Sequence, residues 1–529
     1  MKFRIFLLCL CLIIQTQGGF SQKSNCETPR LIPKPQKEIY SNLFLRLPSV
    51  ITISNDIDEN AKSILEKALL ESLKIEVSYN SNENSLIRFF VDKQLPDEAY
   101  HIKIDTVHID IHASGSAGSL WAIQTLHQMI ESISLTSAGQ IKQLPVTEIE
   151  DYPRYKWRGF HLDVARHFFT KEYLLKTIER LSFYKINKLH LHLNDDQGWR
   201  IEIDKYPLLT EIGAWRSFDK YDSICKRQSQ YNPDMQIDKR FIRKDSKYGG
   251  FYTKADMREI IAHAQKYGIE IIPEIDMPGH MSAAIRAYPW LSCTGNTGWG
   301  KEFSYPICPC DPKVIDFAKD IYSEIAELFP SPFVHIGADE VERDTWVLNA
   351  DCKKQMKKHK MKSSADLQTF FVNEIQKSLK EKGKKTIVWD DAAVDDIENE
   401  VYVTFWRDWM NENANMIVEK GNPMIFMTWS HFYLSARPSF KRWKELYEFD
   451  ITKDYPNMTE SKVIGYQACV WTEEIPNETK LEEHVYPALQ AYSELIWSNK
   501  RNWQDFLQRM SLHNRIMDRE GIHYRSYTY

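Results

Sequence analysis

The sequence predicts an α/β protein: a large (β/α)8 (TIM) barrel preceded by a small α+β domain. Three observations carry this. The chain has 529 residues, 43% of them hydrophobic, which is too long for one ordinary domain and apolar enough for a sizeable core. Beyond Arg158, apolar strand runs alternate with amphipathic helices eight times over roughly 340 residues, the pattern of a closed parallel barrel rather than an open sheet. Before that point, short alternating strands and one late helix read as a separate unit.

In chain order, the N-terminus MKFRIFLLCLCLIIQTQGGFSQ sets Lys2 and Arg4 ahead of an apolar run from Ile5 to Ile14, followed by small and polar residues. Residues 1–22 are therefore expected to be a signal peptide. The run is about half the length of a membrane span, and no later segment is apolar enough to cross. The expected product is soluble and exported, to a bacterial periplasm or surface, or to a lysosome in a eukaryote. Residues 27–150 form the small domain: EAYHIKIDTVHIDIHA alternates apolar and polar residues, and GSLWAIQTLHQMIESI repeats apolar residues at helical spacing. The charged, Pro-containing stretch EIEDYPRYKW closes it, and residues 151–529 are assigned to the barrel.

The eight barrel strands read GFHLDVA, KLHLHLN, IEIIPEID, PFVHIGA, KTIVWD, VYVTFW, MIFMT and YQACVW. Most are separated by amphipathic stretches such as KEYLLKTIERLSFYK and KADMREIIAHAQKYG. Polar residues gather at the strands' C-terminal ends: Asp163 and Arg166, Asn194 to Asp196, Glu274 and Asp276, Asp339 and Glu340, Trp389 and Asp390. In such a barrel that rim carries the chemistry. Between Arg216 and Gly250 lies a long polar connection with little period, either a disordered excursion or a wall of the pocket.

A net charge of -5 with scattered Lys and Arg offers no field for a phosphate backbone and argues against nucleic acid. The 15 Trp and 26 Tyr provide flat faces of the kind that suit sugar rings. Of the 9 cysteines, Cys9 and Cys11 leave with the signal, so an odd number remains and at least one thiol stays free. Cys293, Cys308 and Cys310 flank a Gly-rich loop, and Cys293 is expected to bridge one of the other two in an oxidising compartment. A zinc site there lacks a second CxxC or a His pair. Asn457-Met-Thr and Asn477-Glu-Thr are glycosylation triplets that matter only in a glycosylating host.

The sharpest motif is HIGADEV, an apolar strand running straight into two adjacent carboxyls. Neighbouring strand residues point to opposite faces, so both reach one pocket only if the strand ends there and the chain turns. Taken with RGFHLDVARHF, KLHLHLNDDQGWR, IIPEIDMPGH, IVWDD, FYLSA and ACVWTE, in this order, HIGADEV resembles the glycoside hydrolase family 20 β-N-acetylhexosaminidases. The resemblance runs from IPKPQ near Ile32 through the whole barrel.

The resemblance implies an exo-acting enzyme that removes terminal β-linked GlcNAc or GalNAc from glycans. Its mechanism is retaining and substrate-assisted, an exception to two-carboxylate glycosidase chemistry. Glu340 would be the acid and then the base, and Asp339 would hold the substrate's acetamido group. Adjacency is expected to let an ionised Asp339 raise the pKa of Glu340. Trp389, Trp406 and Trp471 would wall the acetamide and the sugar face, and the Tyr433 hydroxyl would bond the acetamido oxygen. Arg166 would grip two vicinal hydroxyls, Glu473 would read the far side, and His280 with Asp195 or Asp196 would form a supporting pair. No metal or cofactor is implied; His190 and His192 share a strand face but lack a third ligand nearby.

Two positions depart from the family pattern. Gly337-Ala338 stands where Gly-Gly is common, and the extra methyl is harmless unless positive φ is needed there. Ser435 stands where Asn or Asp usually meets the 4- or 6-hydroxyl. This leaves room for a 6-O-substituent such as sulfate, with Arg437 as an anion partner. Two other readings compete: a conventional two-carboxylate glycosidase with Glu274 as nucleophile, and a non-catalytic carbohydrate-binding protein of the same fold.

Overall fold

The structure, a computed structural model, describes residues 28–136, 142–393, 397–436, 438–456, 458 and 462–526. The small N-terminal unit is a mixed seven-stranded sheet, whose spatial order is Lys37–Arg46, Gln143–Asp151, Tyr100–Ile104, Ile109–Ala113, Ile87–Val91, Val50–Ser54 and Glu76–Asn80. Helices Glu59–Leu73 and Ser116–Thr136 pack with it. The second helix is buried along most of its length because it is shared with the barrel: Gln124 Nε2 donates to Ser182 Oγ at 2.8 Å, and Gln128 Nε2 to the carbonyl of Phe183 at 2.9 Å.

Eight parallel strands close the barrel. They are β1 (Trp157–Asp163), β2 (Lys188–His192), β3 (Glu270–Glu274), β4 (Phe333–His335), β5 (Lys385–Trp389), β6 (Tyr402–Phe405), β7 (Met424–Phe426) and β8 (Val463–Val470). β8 pairs with β1, Gly465 opposite Trp157, which completes the ring. The intervening helices start where local chemistry dictates. Thr170 caps Lys171–Phe183 by accepting from the Tyr173 N–H, and Thr253 with Asp256 forms a capping box at the start of Lys254–Lys266.

At the N-terminal end of β1 the buried Arg158 guanidinium bonds Glu98 of the small domain at 2.6 Å and the carbonyls of Lys185 and Tyr155 at 2.9 Å. The small domain thus braces the end of the barrel opposite the polar rim.

The polar connection from Arg216 to Gly250 is an ordered wall rather than a disordered excursion. It holds helix Lys220–Gln228, capped reciprocally by Asp219 and Asp222, and a strand pair joining Trp215–Arg216 to Tyr248–Gly249. Cys225, Met235, Ile237 and Tyr248 give it a core of its own. The Arg216–Asp222 ion pair, which His167 also approaches, anchors it.

Cys293 bridges Cys308, one of the two expected partners, and Cys310 pairs instead with Cys352. Among the described residues the free thiols are Cys225 and Cys469, both buried; Cys26 lies outside the described residues. Among those residues no helix is long and apolar enough to cross a membrane. The Asn477 side chain is spent locally: its NH2 donates to the carbonyls of Asp234 and Gln236 and its oxygen caps helix Glu478–Val485. Asn457 lies outside the described residues.

Candidate active site

Every barrel strand delivers a polar or aromatic group to the rim, because each apolar run stops where its last residues leave the ladder. The resulting cavity of about 890 Å³ opens at the C-terminal face, large for a small-molecule site. Arg166, His280, Asp339, Glu340, Trp389, Trp406, Tyr433, Ser435, Trp471 and Glu473 all line it. Asp195 and Asp196 do not; they sit behind the wall as partners of Arg166 and His280. The polar connection contributes Tyr221, Gln228, Asn232 and Met235, which sequence reasoning did not single out.

The carboxyl pair follows β4. Gly337, Ala338 and Glu340 all have positive φ, at 69°, 72° and 48°. This tight left-handed turn is what lets adjacent carboxyls share one cavity. Ala338 therefore does occupy a position that favours glycine, and its methyl is held at a cost. The turn is fixed from β3: Asp276 Oδ1 accepts the Ala338 N–H at 2.9 Å, and a Cβ on Gly337 would lie 1.8 Å from that oxygen. Gln368 Nε2 holds the Ala338 carbonyl at 2.8 Å.

The electrostatics differ from expectation. Burial, with Asp276 alongside, pushes the Asp339 carboxyl well above the usual range, and Glu340 is among the charges that raise it. Asp276 is itself raised by burial and by Glu274. Opposing them is His280, whose Nε2 lies 3.8 Å from Asp339 and 3.6 Å from Glu340, while Nδ1 faces Asp195 at 3.4 Å and Asp196 at 3.6 Å. Burial disfavours its charge, but these carboxylates outweigh burial and hold the imidazole well above its ordinary value.

Across the cavity, Arg166 reaches Asp195 at 2.7 Å and Asp163 at 3.3 Å, with Glu473 at 4.0 Å, and its guanidinium lies 4.8 Å over the Trp471 ring. Asp163 in turn accepts from the backbone of Ala165, Arg166 and Thr472. These carboxylates fix the orientation of the Arg166 guanidinium at the cavity edge.

Trp389, Trp406, Tyr433 and Trp471 form a continuous aromatic wall. Trp389 and Trp471 are 5.8 Å apart, Tyr433 and Trp471 6.3 Å, and Trp406 stacks on Tyr433 at 6.3 Å. Polar atoms set the indoles: Trp389 Nε1 donates to Glu274 at 2.7 Å and Trp406 Nε1 to Asp391 at 2.8 Å. Asp391 is pushed up to about 6 by burial and by the neighbouring Asp390. Ser435 faces the same space, whereas Arg437 lies outside the described residues.

Glu274 has no face toward the cavity. It is fully buried among His161, His190, His192, His335 and Trp389. A third group does stand beside His190 and His192: Glu274 lies 3.0 and 2.6 Å from them, and His161, His190 and Glu274 come within 4.8 Å of one another. Period-2 alternation in KLHLHLN, with a carboxylate ending the next strand, was the signal that could have found this cluster.

A closed (β/α)8 barrel, with a carboxyl pair, a guanidinium fork and an aromatic wall facing one rim cavity, defines a barrel glycoside hydrolase. Residues 155–500 match the glycosyl hydrolase family 20 catalytic domain, and residues 28–152 match domain 2 of that family. The chain belongs to glycosyl hydrolase family 20 and is a glycoside hydrolase of the β-hexosaminidase type.

It is 29% identical to a β-hexosaminidase of Porphyromonas gingivalis over 99% of this chain and 68% of that one. It is 30% identical to a β-hexosaminidase of Vibrio furnissii, over 88% of this chain and 76% of that one. Among solved structures, the family 20 exo-β-N-acetylglucosaminidase of Vibrio harveyi with N-acetylglucosamine superposes with a TM-score of 0.82, at 30% identity, covering 94% of this chain and 78% of that one.

Proposed function

We propose that this enzyme removes terminal, non-reducing β-linked N-acetylhexosamine by substrate-assisted retaining catalysis. The observation that carries the proposal is the left-handed turn that sets Asp339 and Glu340 side by side against the aromatic wall. Glu274, the nucleophile of a conventional two-carboxylate mechanism, is fully buried behind Trp389. An exo mode is supported by Arg166 and Glu473, which line the cavity and would meet the hydroxyls of a chain end, with Asp195 holding Arg166 from behind.

In the proposed reaction Glu340 gives its proton to the glycosidic oxygen as the C1–O bond breaks. The acetamido carbonyl oxygen attacks C1 from the opposite face, and the positive charge spreads over the resulting oxazolinium ring. Asp339 accepts the acetamido N–H and offsets that charge. Glu340, now a carboxylate, takes a proton from water as its oxygen adds to C1. The ring opens, the acetamide is restored and configuration at C1 is retained. The high proton affinity of free Asp339 is relieved when an N–H donor arrives, so its ionised form belongs to the loaded site.

At the far side of the sugar, the short Ser435 side chain supports tolerance of a 6-O-sulfated sugar; Lys480 and Arg525 line the same cavity. The N-terminal 22 residues support export to a periplasm or cell surface, where the glycans of glycoproteins, mucins, glycosaminoglycans or chitin fragments would be met. A panel of nitrophenyl glycosides, plain and 6-sulfated, tests the assignment. Hydrolysis confined to β-N-acetylhexosaminides is expected, with turnover of the sulfated one. Cleavage of plain glucosides but not acetamido sugars would refute the function, and no turnover of the sulfated sugar would refute the Ser435 reading alone. Detection of the protein in cytosol rather than in the envelope or medium would refute export.

A further inference from the structure

Beneath the cavity floor, hydrogen positions can be assigned from heavy-atom geometry. The Trp157 indole can only donate, and it faces Gln467 Oε1 at 3.3 Å, which turns the Gln467 NH2 toward His190 Nδ1 at 2.9 Å. His190 Nδ1 is therefore an acceptor, and its Nε2 carries the hydrogen, 3.0 Å from Glu274. His335 Nδ1 accepts the Gly337 N–H at 3.0 Å, so it is no donor to Glu274.

His192 has no such freedom. Its Nδ1 is 2.6 Å from Glu274 Oε2 and its Nε2 is 2.9 Å from Asp195 Oδ2. Asp195 is held as a carboxylate by Arg166 and His280, which outweigh its burial. An acceptor on each side requires a hydrogen on each ring nitrogen, so the ring is an imidazolium. The groups facing it are Glu274 from β3, His161 from β1, His190 on its own strand, and Asp195 and Arg166 beyond the strand ends.

We propose that His192 and Glu274 are positioning residues, a buried ion pair that joins the two grips on the sugar into one rigid unit. One end of the link, Glu274, holds the Trp389 indole of the proposed acetamide wall. The other end, Asp195, holds Arg166, which would take the ring hydroxyls, and His280, which faces Asp339 and Glu340. The link fixes the span between acetamide and hydroxyl sites, and that span decides whether the acetamide oxygen lies in line with C1. Consistent with this, the His192 pKa is raised to about 10 against full burial by Glu274 and Asp195. Sequence spacing could not disclose the link, because it crosses from β2 to β3 and on to β5. The inference rests on the reaction proposed above.

The test is a cycle of His192→Gln, Glu274→Gln and the double variant, with kcat and KM measured on nitrophenyl β-N-acetylglucosaminide. In the double variant the Trp389 indole, the two introduced glutamine side chains and Asp195 can still form an unbroken chain of donors and acceptors without charge at the two substituted positions. His192→Gln is expected to lose about 100-fold in kcat with KM changed less than about threefold. The double variant is expected to recover about tenfold of that loss. A kcat for His192→Gln within about threefold of the parent, or additive losses in the cycle, would overturn the proposal.

Should His192→Gln fail to fold, Glu274→Gln is compared with the double variant. Recovery on adding the second substitution supports the link, and further loss overturns it. A parent inactive on this substrate would fail the proposed reaction itself. The link is then read from the same cycle in urea unfolding, where non-additivity supports it and additivity overturns it.

Discussion

Replacing Asp391 by Asn should stabilise the protein, and by an amount that depends on pH. Asp391 is buried beside Asp390, which holds its carboxyl at about 6 in place of the ordinary 3.8. A shift of about two units corresponds to roughly 3 kcal/mol between its protonation states. The sign follows from linkage. A carboxyl whose folded pKa is raised contributes its full stability below about 4, loses it as pH rises through about 6, and contributes none above.

Asn keeps an acceptor for the Trp406 indole, which now lies 2.8 Å from Asp391, but gives up the contact to Arg407 at 3.2 Å. That loss is partly offset because Arg407 retains Asp390 at 2.8 Å. Allowing about 1 kcal/mol for it, the variant should be about 2 kcal/mol more stable than the parent at pH 8 and no more stable at pH 4.5. Urea unfolding of both proteins at four pH values across this range measures the difference. A stability difference that stays flat with pH would refute the electrostatic reasoning, whatever its sign.

Other outcomes follow from the same geometry. Gly337→Ala should abolish activity and destabilise the barrel, since its Cβ would meet Asp276 Oδ1 at 1.8 Å at a φ of 69°; Ala338→Gly should instead raise stability by roughly 0.5–1 kcal/mol, read from thermal melting. Glu340→Gln should lose about 100- to 10,000-fold in kcat on chitobiose, with an alkoxide leaving group, and much less on a nitrophenyl glycoside, whose leaving group needs no proton. Equal losses on the two substrates would remove Glu340 as the acid. Reduction should lower both the melting temperature and kcat. The Cys293–Cys308 loop is worth about 3 kcal/mol in chain entropy, and its Glu302 N–H holds Glu342, near the acid, at 3.2 Å.

What the sequence disclosed and what it hid divide along a physical line. Strand runs such as KTIVWD and YQACVW announce their buried core and their rim residue together, because a parallel barrel strand is apolar until it leaves the ladder. Trp389, Trp471 and the Asp339-Glu340 pair were legible for that reason. Contacts between strands distant in sequence were not. Asp276 holding the turn before Asp339, Glu274 under Trp389, and Cys352 reaching Cys310 across 42 residues leave no local signal. The left-handed φ of Ala338 escaped because alanine ordinarily avoids it. The wall formed by residues 216–250 gives no sequence signal, because its small core is assembled from scattered residues such as Cys225 and Tyr248 rather than from a periodic run.

In the proposed reaction the substrate's own acetamide is the nucleophile. Inhibition by a GlcNAc-derived thiazoline, a stable mimic of the oxazolinium ring, tests it most directly. The thiazoline should bind at least about 100-fold more tightly than N-acetylglucosamine, and Asp339→Asn should remove most of this preference. A thiazoline that binds no better than N-acetylglucosamine would contradict it.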